Sequence, residues 1–302
     1  MGKREVSYLI DQFRESVKLS TDKDFLREIG RMPCFEITPV ANYIAAQHGT
    51  SKTITIEEFP CIRPPFKKMW LEYNYEPPSG TYEKAYIGHL LSCTKANGQD
   101  YDYTLMIKIA IGVGDRITLY PYVVIIPFLE DGTPCGIPLP KGQSGKRAPF
   151  MVQYVGEFNA KTEEQKQAIQ KETQEWGKNM ASTIPATLVA LSFMNCKNVS
   201  HGILREEMPK LNRSRAKKGK VPLLRMYTLK IGGIKEMFRK SGHGEGFSTT
   251  AFHICRGHFK DFTHGAGLFG RYKGRYWWPS QARGNRSAGI VKKEYEVTTN
   301  NP

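Results

Sequence analysis

Long apolar runs, paired cysteines and an acidic balance are all missing from this 302-residue chain, and each absence closes off a class of protein. No stretch approaches the roughly 18 apolar residues that a membrane-spanning helix requires, and the first residues lack the apolar core of a secretory leader. The expectation is a cytoplasmic protein with no membrane partner. Cys34, Cys61, Cys93, Cys135, Cys196 and Cys255 are scattered without a C-x-x-C pair. That spacing speaks against a zinc ribbon or a disulfide framework and predicts reduced, mostly buried thiols. No phosphate-cradling P-loop, G-x-S-x-G or H-E-x-x-H is present, and Gly112-Val113-Gly114 lies between β runs without the helix that a dinucleotide fingerprint requires. No cofactor and no metal are expected.

What is present is positive charge. Lys and Arg number 44 against 29 Asp and Glu, a net charge of +15. Such an excess repels itself in a compact state unless an acidic partner offsets it, and nucleic acid is the commonest such partner. The alternatives are a solvated basic surface kept for solubility and a face that meets an acidic protein. With 40 % hydrophobic and 11 % aromatic residues, the chain also has the means to build a core.

Apolar periodicity organises the chain. Val6, Leu9, Ile10, Phe13 and Val17 recur at helical spacing, and Phe25, Leu26 and Ile29 repeat the pattern more briefly. Short β-rich runs follow at Thr53 to Ile56, Met69 to Tyr75, Tyr82 to Ser92, Tyr103 to Ile111 and Ile117 to Phe128, which suit an antiparallel meander. A Gly- and Pro-rich stretch from Glu130 to Pro149 reads as a loop or layer boundary. Residues Lys161 to Phe193 read as one long central helix that Pro185 should kink, with the stripe Ala168, Ile169, Trp176, Met180, Ile184, Leu188 and Leu191 facing a core. The expected class is α+β: a mainly antiparallel sheet with N-terminal helices and one long central helix. A division into 1–160 and 161–302 is a convenience, since the long helix can pack on both halves.

Two segments carry candidate chemistry. Residues 211–220 hold Arg213, Arg215, Lys217, Lys218 and Lys220, a density able to neutralise several phosphates from a mobile loop or a hairpin tip. The other is His253-Ile254-Cys255-Arg256-Gly257-His258-Phe259-Lys260. On one unbroken strand, alternation would place Arg256, His258 and Lys260 on a single face. There His258 could act as a general acid or base, with Arg256 and Lys260 stabilising charge on phosphorus. A zinc site from His253, Cys255, His258 and His264 is chemically possible, but the strand would direct its members apart. Downstream, Arg271, Lys273, Arg275, Tyr276 and Trp278 interleave cations with rings, as in a groove where bases stack and cations track the backbone. Arg283 and Arg286 extend the basic character. Tyr276 and Trp278 share one strand face and Trp277 takes the other, so one side of the rings is expected inside and one outside.

The run Asn195-Cys196-Lys197-Asn198-Val199, the basic 213–222 stretch, Arg256-Gly257-His258-Phe259-Lys260, Gly267-Leu268-Phe269-Gly270 and Tyr276-Trp277-Trp278 form a layout. It resembles uncharacterised proteins carried by bacteriophages and related mobile elements. The resemblance implies a bacterial host cell and no established catalytic residue. Three functions follow as expectations: a nucleic-acid-binding protein using the basic loop and the C-terminal sheet, a metal-independent phosphodiesterase or RNase built on His258, and an inhibitor of an acidic host defence protein.

Overall fold

The computed structural model describes residues 8–17, 27–48, 59–75, 85–96, 100–114, 116–138, 147–148, 150–155, 162–180, 183–231, 251–255, 257–279, 281–283 and 285–290. The chain divides into two compact units, Met1–Asn195 with Ser200–Lys230, and Cys196–Val199 with Ile231–Pro302.

The first unit is built on an eight-stranded sheet. Its strands are β1 (Cys34–Glu36), β2 (Lys68–Tyr75), β3 (Ala85–Lys95), β4 (Tyr103–Val113), β5 (Arg116–Phe128), β8 (Met151–Tyr154), β9 (Val199–Arg205) and β10 (Met226–Ile231), in the order β8-β5-β4-β3-β2-β1-β10-β9. The short pair β6 (Ile137–Pro138) and β7 (Arg147–Ala148) lies outside it. From β2 to β5, and on to β8, neighbours are antiparallel. The expected antiparallel meander stops at β1, which pairs parallel with both β2 and β10, so the sheet is mixed. The expected run at Thr53 to Ile56 lies outside the described residues.

Register decides which side chains share a face. Phe35, Leu71, His89 and Ile109 stand in line across four strands, with Cys34, Trp70, Leu90 and Lys108 on the opposite face. The first face is covered by helices α2 (Thr38–His48), α3 (Glu163–Met180) and α4 (Ile184–Met194). Trp176 of α3 stacks on Tyr122 at 4.5 Å, and Tyr73 donates its hydroxyl to the Thr183 carbonyl at 2.8 Å. The long central helix is thus two helices. Pro185 lies in the first turn of α4, where a missing N–H breaks no hydrogen bond, so it starts a helix instead of kinking one.

The second face receives α1 (Leu9–Ser16), whose Leu9, Ile10 and Phe13 are at most 1 % exposed. Phe13 stacks on Trp70 at 5.4 Å. Glycine on β3 makes room for this docking: a Cβ on Gly88 would stand 2.2 Å from the Trp70 ring and 2.9 Å from Leu9. Gly88→Ala should therefore lower stability by about 1–3 kcal/mol, read as a shifted denaturant midpoint at unchanged slope.

The second unit contains the hairpin β12 (His258–Asp261) and β13 (Arg275–Trp278), and a three-stranded sheet of β11 (Ala251–Cys255), β14 (Gln281–Arg283) and β15 (Asn285–Ile290). The single strand expected from His253 to Lys260 is thus two strands in separate sheets. Strand β11 ends at Cys255 and β12 begins at His258, with Gly257 outside both; Arg256 lies outside the described residues. None of the described helices is long and apolar enough to cross a membrane.

Candidate nucleic-acid interface

The basic stretch expected as a loop is a helix, α5 (Pro209–Lys217). Its ends explain why. Pro209 opens it with a preset φ, and Gly219, at φ +66°, closes it in the left-handed conformation that a side chain resists. The Lys220 N–H then reaches the Arg215 carbonyl at 3.0 Å and the Gly219 N–H reaches Ala216 at 3.0 Å, so the terminal carbonyls are satisfied by a Schellman turn.

One side of α5 is attached to the body. Asn212 exchanges two hydrogen bonds with the Leu223 backbone, at 2.8 and 3.1 Å, and Arg215 Nε donates to the Val221 carbonyl at 2.9 Å. At about 100° per residue, Leu211, Asn212 and Arg215 share this side, while Lys210, Arg213, Ser214 and Lys217 share the opposite one. Lys210, Arg213 and Lys217 are exposed, and Lys218 and Lys220 continue the exposed charge past the helix end. A helix pinned by one side and cationic on the other presents its charge as a fixed row.

The base of that row is clamped by α1. Arg205, at the end of β9, makes a two-pronged ion pair with Asp11 at 2.5 and 2.9 Å, with both side chains no more than 6 % exposed. Arg205 also donates to the Leu224 carbonyl and lies over the Tyr8 ring at 4.8 Å. Beyond the helix, Arg14 donates to the Pro222 carbonyl and Glu15 accepts the Val221 N–H. Hence α1 grips the chain on both sides of α5. Its own N-terminus is capped from the sheet: Glu72, fully buried, accepts the Leu9 and Ile10 N–H groups at 3.0 and 2.9 Å and the Trp70 indole N–H at 2.8 Å. Burial outweighs these donors and pushes the Glu72 carboxyl up to about 7.

The second unit redistributes the expected C-terminal residues. Tyr276, Trp277 and Trp278 are 3 %, 5 % and 9 % exposed, so none of the three offers the open face that base stacking requires. Tyr276 and Trp278 pack with Leu268 and Phe262, and Trp277 packs on Phe259 at 4.7 Å. Asn198 brackets Trp277 with two backbone hydrogen bonds of 2.8 and 2.9 Å, acting as a strand partner. Arg275 is held by Asp261 at 2.8 Å. Lys260 lies over the Trp278 ring at 4.5 Å, and His258, on the same strand face, is exposed. Arg256, the intended third member of that group, is outside the described residues. Arg283 belongs to β14, opposite His253. Arg271 and Lys273 are exposed in the turn between β12 and β13. No cluster of His, Cys, Asp and Glu able to hold a metal ion occurs among the described residues.

Sequence reasoning did not select Lys210, Phe269 or Tyr272. Lys210 follows from helical spacing once Pro209 and Gly219 are read as start and stop. Phe269 and Tyr272, 65 % and 45 % exposed, lie among turn-forming glycines, a pattern that marks an exposed tip more than a strand. No family model, curated protein or solved structure matches the chain.

Proposed function

We propose that this chain is a nucleic-acid-binding protein of a bacteriophage or mobile element, and that the outer face of α5 is its phosphate-contacting surface. The observation that carries this reading is the division of one short helix into an anchored side, Leu211, Asn212 and Arg215, and an exposed cationic side, Lys210, Arg213 and Lys217. Charge dispersed for solubility does not require such a division. A helix whose backbone is already held by the body needs no ordering on binding, and counterions are released as each phosphate is neutralised.

The variant Lys210→Ala/Arg213→Ala/Lys217→Ala tests it. None of these residues is buried, so the helix content and unfolding midpoint should remain those of the wild type. Affinity for labelled RNA and DNA, read by fluorescence anisotropy near physiological salt, should fall on the order of a hundredfold. Unchanged affinity in the folded variant would remove α5 from the interface.

A further inference from the structure

The eight-stranded sheet ends in two unlike edges. At one end of the order, β8 has four residues, a length that gives another strand little to pair with. At the other end, β9 has seven residues, and among the described strands only β10 lies beside it. The outer side of an edge strand presents a row of N–H and C=O groups, which soluble proteins commonly guard with lysine, proline or a bulge. Ser200-His201-Gly202-Ile203-Leu204 holds neither lysine nor proline. It carries apolar side chains on both sides instead: Ile203 and Leu204, neighbours that alternation sends to opposite faces, are 50 % and 47 % exposed. This is the sequence of an interior strand in the position of an edge.

Charge indicates what fits against it. The whole chain carries +15, yet the strip from Ser200 to Leu204 has no Lys, Arg, Asp or Glu. His201 lies edge-on to Phe35 at 5.1 Å, and partial burial holds its pKa below the ordinary histidine value, which leaves the ring neutral near pH 7. Arg205, at the end of the strand, is neutralised by Asp11. Around the strip, the Lys230 stem crosses Gly202 and Arg225 pairs with Glu206 at 3.0 Å, while the exposed Glu207 supplies the balancing carboxylate. A polyanion gains little from such a surface. Two copies of a strongly basic chain, in contrast, approach best where their charge is locally cancelled. A strand that meets its own copy about a twofold axis pairs antiparallel, and each copy then completes the ladder of the other.

We infer that the outer edge of β9 is a homodimer interface, in which the strand pairs antiparallel with β9 of a second copy and Ile203 and Leu204 lose their exposure to water. This interface goes beyond the reading of α5 and requires no nucleic acid. Because α5 begins shortly after β9 ends, a dimer carries two cationic helices in one particle.

Sedimentation equilibrium of the full chain, without nucleic acid, tests it. Over about 1–100 μM the wild type should pass from monomer to dimer. Ile203→Lys/Leu204→Lys puts guarding cations at exposed positions, so the unfolding midpoint should hold while association weakens on the order of a hundredfold. Leu119→Lys, which charges a 39 % exposed apolar residue of β5, should dimerise as the wild type does. Hydrogen exchange of the wild type over the same range should show amides of 200–204 slowing as the dimer forms. A wild type that stays monomeric throughout overturns the inference, as does unchanged dimerisation of the folded double lysine variant. An equal loss in Leu119→Lys would make the association a general effect of added charge. Amides of 200–204 already slow in the monomer would mean that another part of the same chain covers the edge. Either of these results also overturns the interface.

Discussion

Asp11→Ala should destabilise the protein by about 3–5 kcal/mol, because it leaves the Arg205 guanidinium buried without its counter-charge. The pair lies between the N-terminal helix and the end of β9, far apart in sequence and at most 6 % exposed, so water does not replace the lost carboxylate. The reciprocal Arg205→Ala should cost a similar amount and should also free the Leu224 carbonyl, which accepts from Arg205 Nε at 2.9 Å. Asp11→Leu/Arg205→Met, which removes both charges and keeps apolar volume, should lose much less than either single change. Denaturant melts of the three variants supply the comparison. Additive losses would show that the two charges do not act as a pair. Because the same residues brace the chain entering α5, the single variants should also show faster amide exchange in 209–217 at temperatures where they remain folded.

The second large effect is a pH dependence from two buried groups that oppose each other. Glu72 has a carboxyl raised to about 7 by burial, and His89, fully buried, is held down to about 3 by the same cause. The His89 ring accepts or donates one hydrogen bond, Nδ1 to Thr187 Oγ1 at 2.6 Å. Between the ordinary carboxyl value of 4.5 and about 7, the folded protein keeps a proton on Glu72 that the unfolded chain has released. The Glu72 contribution is therefore fully present below the lower value and lost as pH rises through the upper one. His89 acts in the other direction. Between its ordinary 6.5 and about 3, the unfolded chain holds a proton that the folded protein refuses, so stability is lost as pH falls through that window.

The two windows overlap, and slopes of up to about 1.4 kcal/mol per pH unit oppose each other there. Glu72→Gln uncovers the histidine. Its stability should fall more steeply than wild type as pH drops below 6.5, and its deficit relative to wild type should shrink by about 3 kcal/mol between pH 4.5 and 7. Urea melts across that range check it. A deficit that does not vary with pH would mean that Glu72 titrates alike in both states.

The central strands were legible in the sequence for a physical reason. β2 to β5 are long runs of β-branched, aromatic and apolar residues ended by Gly or Pro, and no helical periodicity competes with them. β1 was not, because Cys34-Phe35-Glu36 is too short for a period and owes its place to partners on both sides. No expectation covered α2, whose Pro39 stands in the first turn, where proline is favourable. The same property of Pro185 turned one expected helix into two. In the basic stretch, charge density suggested a solvated loop, while the decisive signals were Pro209 and Gly219 at its ends.

The candidate site was legible in composition and not in placement. Cations and rings do recur near the C-terminus, but alternation alone could not reveal that Asn198 would pair with the Trp277 backbone and help bury the three consecutive rings. Arg275 and Lys260 were counted as free charge, and the fold commits one to Asp261 and the other to the Trp278 ring. Long-range partners of this kind are set by tertiary pairing, which local patterns do not encode.

If α5 meets nucleic acid through Lys210, Arg213 and Lys217, as proposed, the salt dependence of binding carries their signature. The logarithm of the association constant, followed against the logarithm of salt concentration on one DNA duplex, should fall linearly for the wild type. In the triple alanine variant the slope should be shallower by about 2–3, close to one unit for each lost phosphate contact. Parallel lines for the two proteins, or a wild-type affinity that does not change with salt, would mean that these three cations do not meet phosphate.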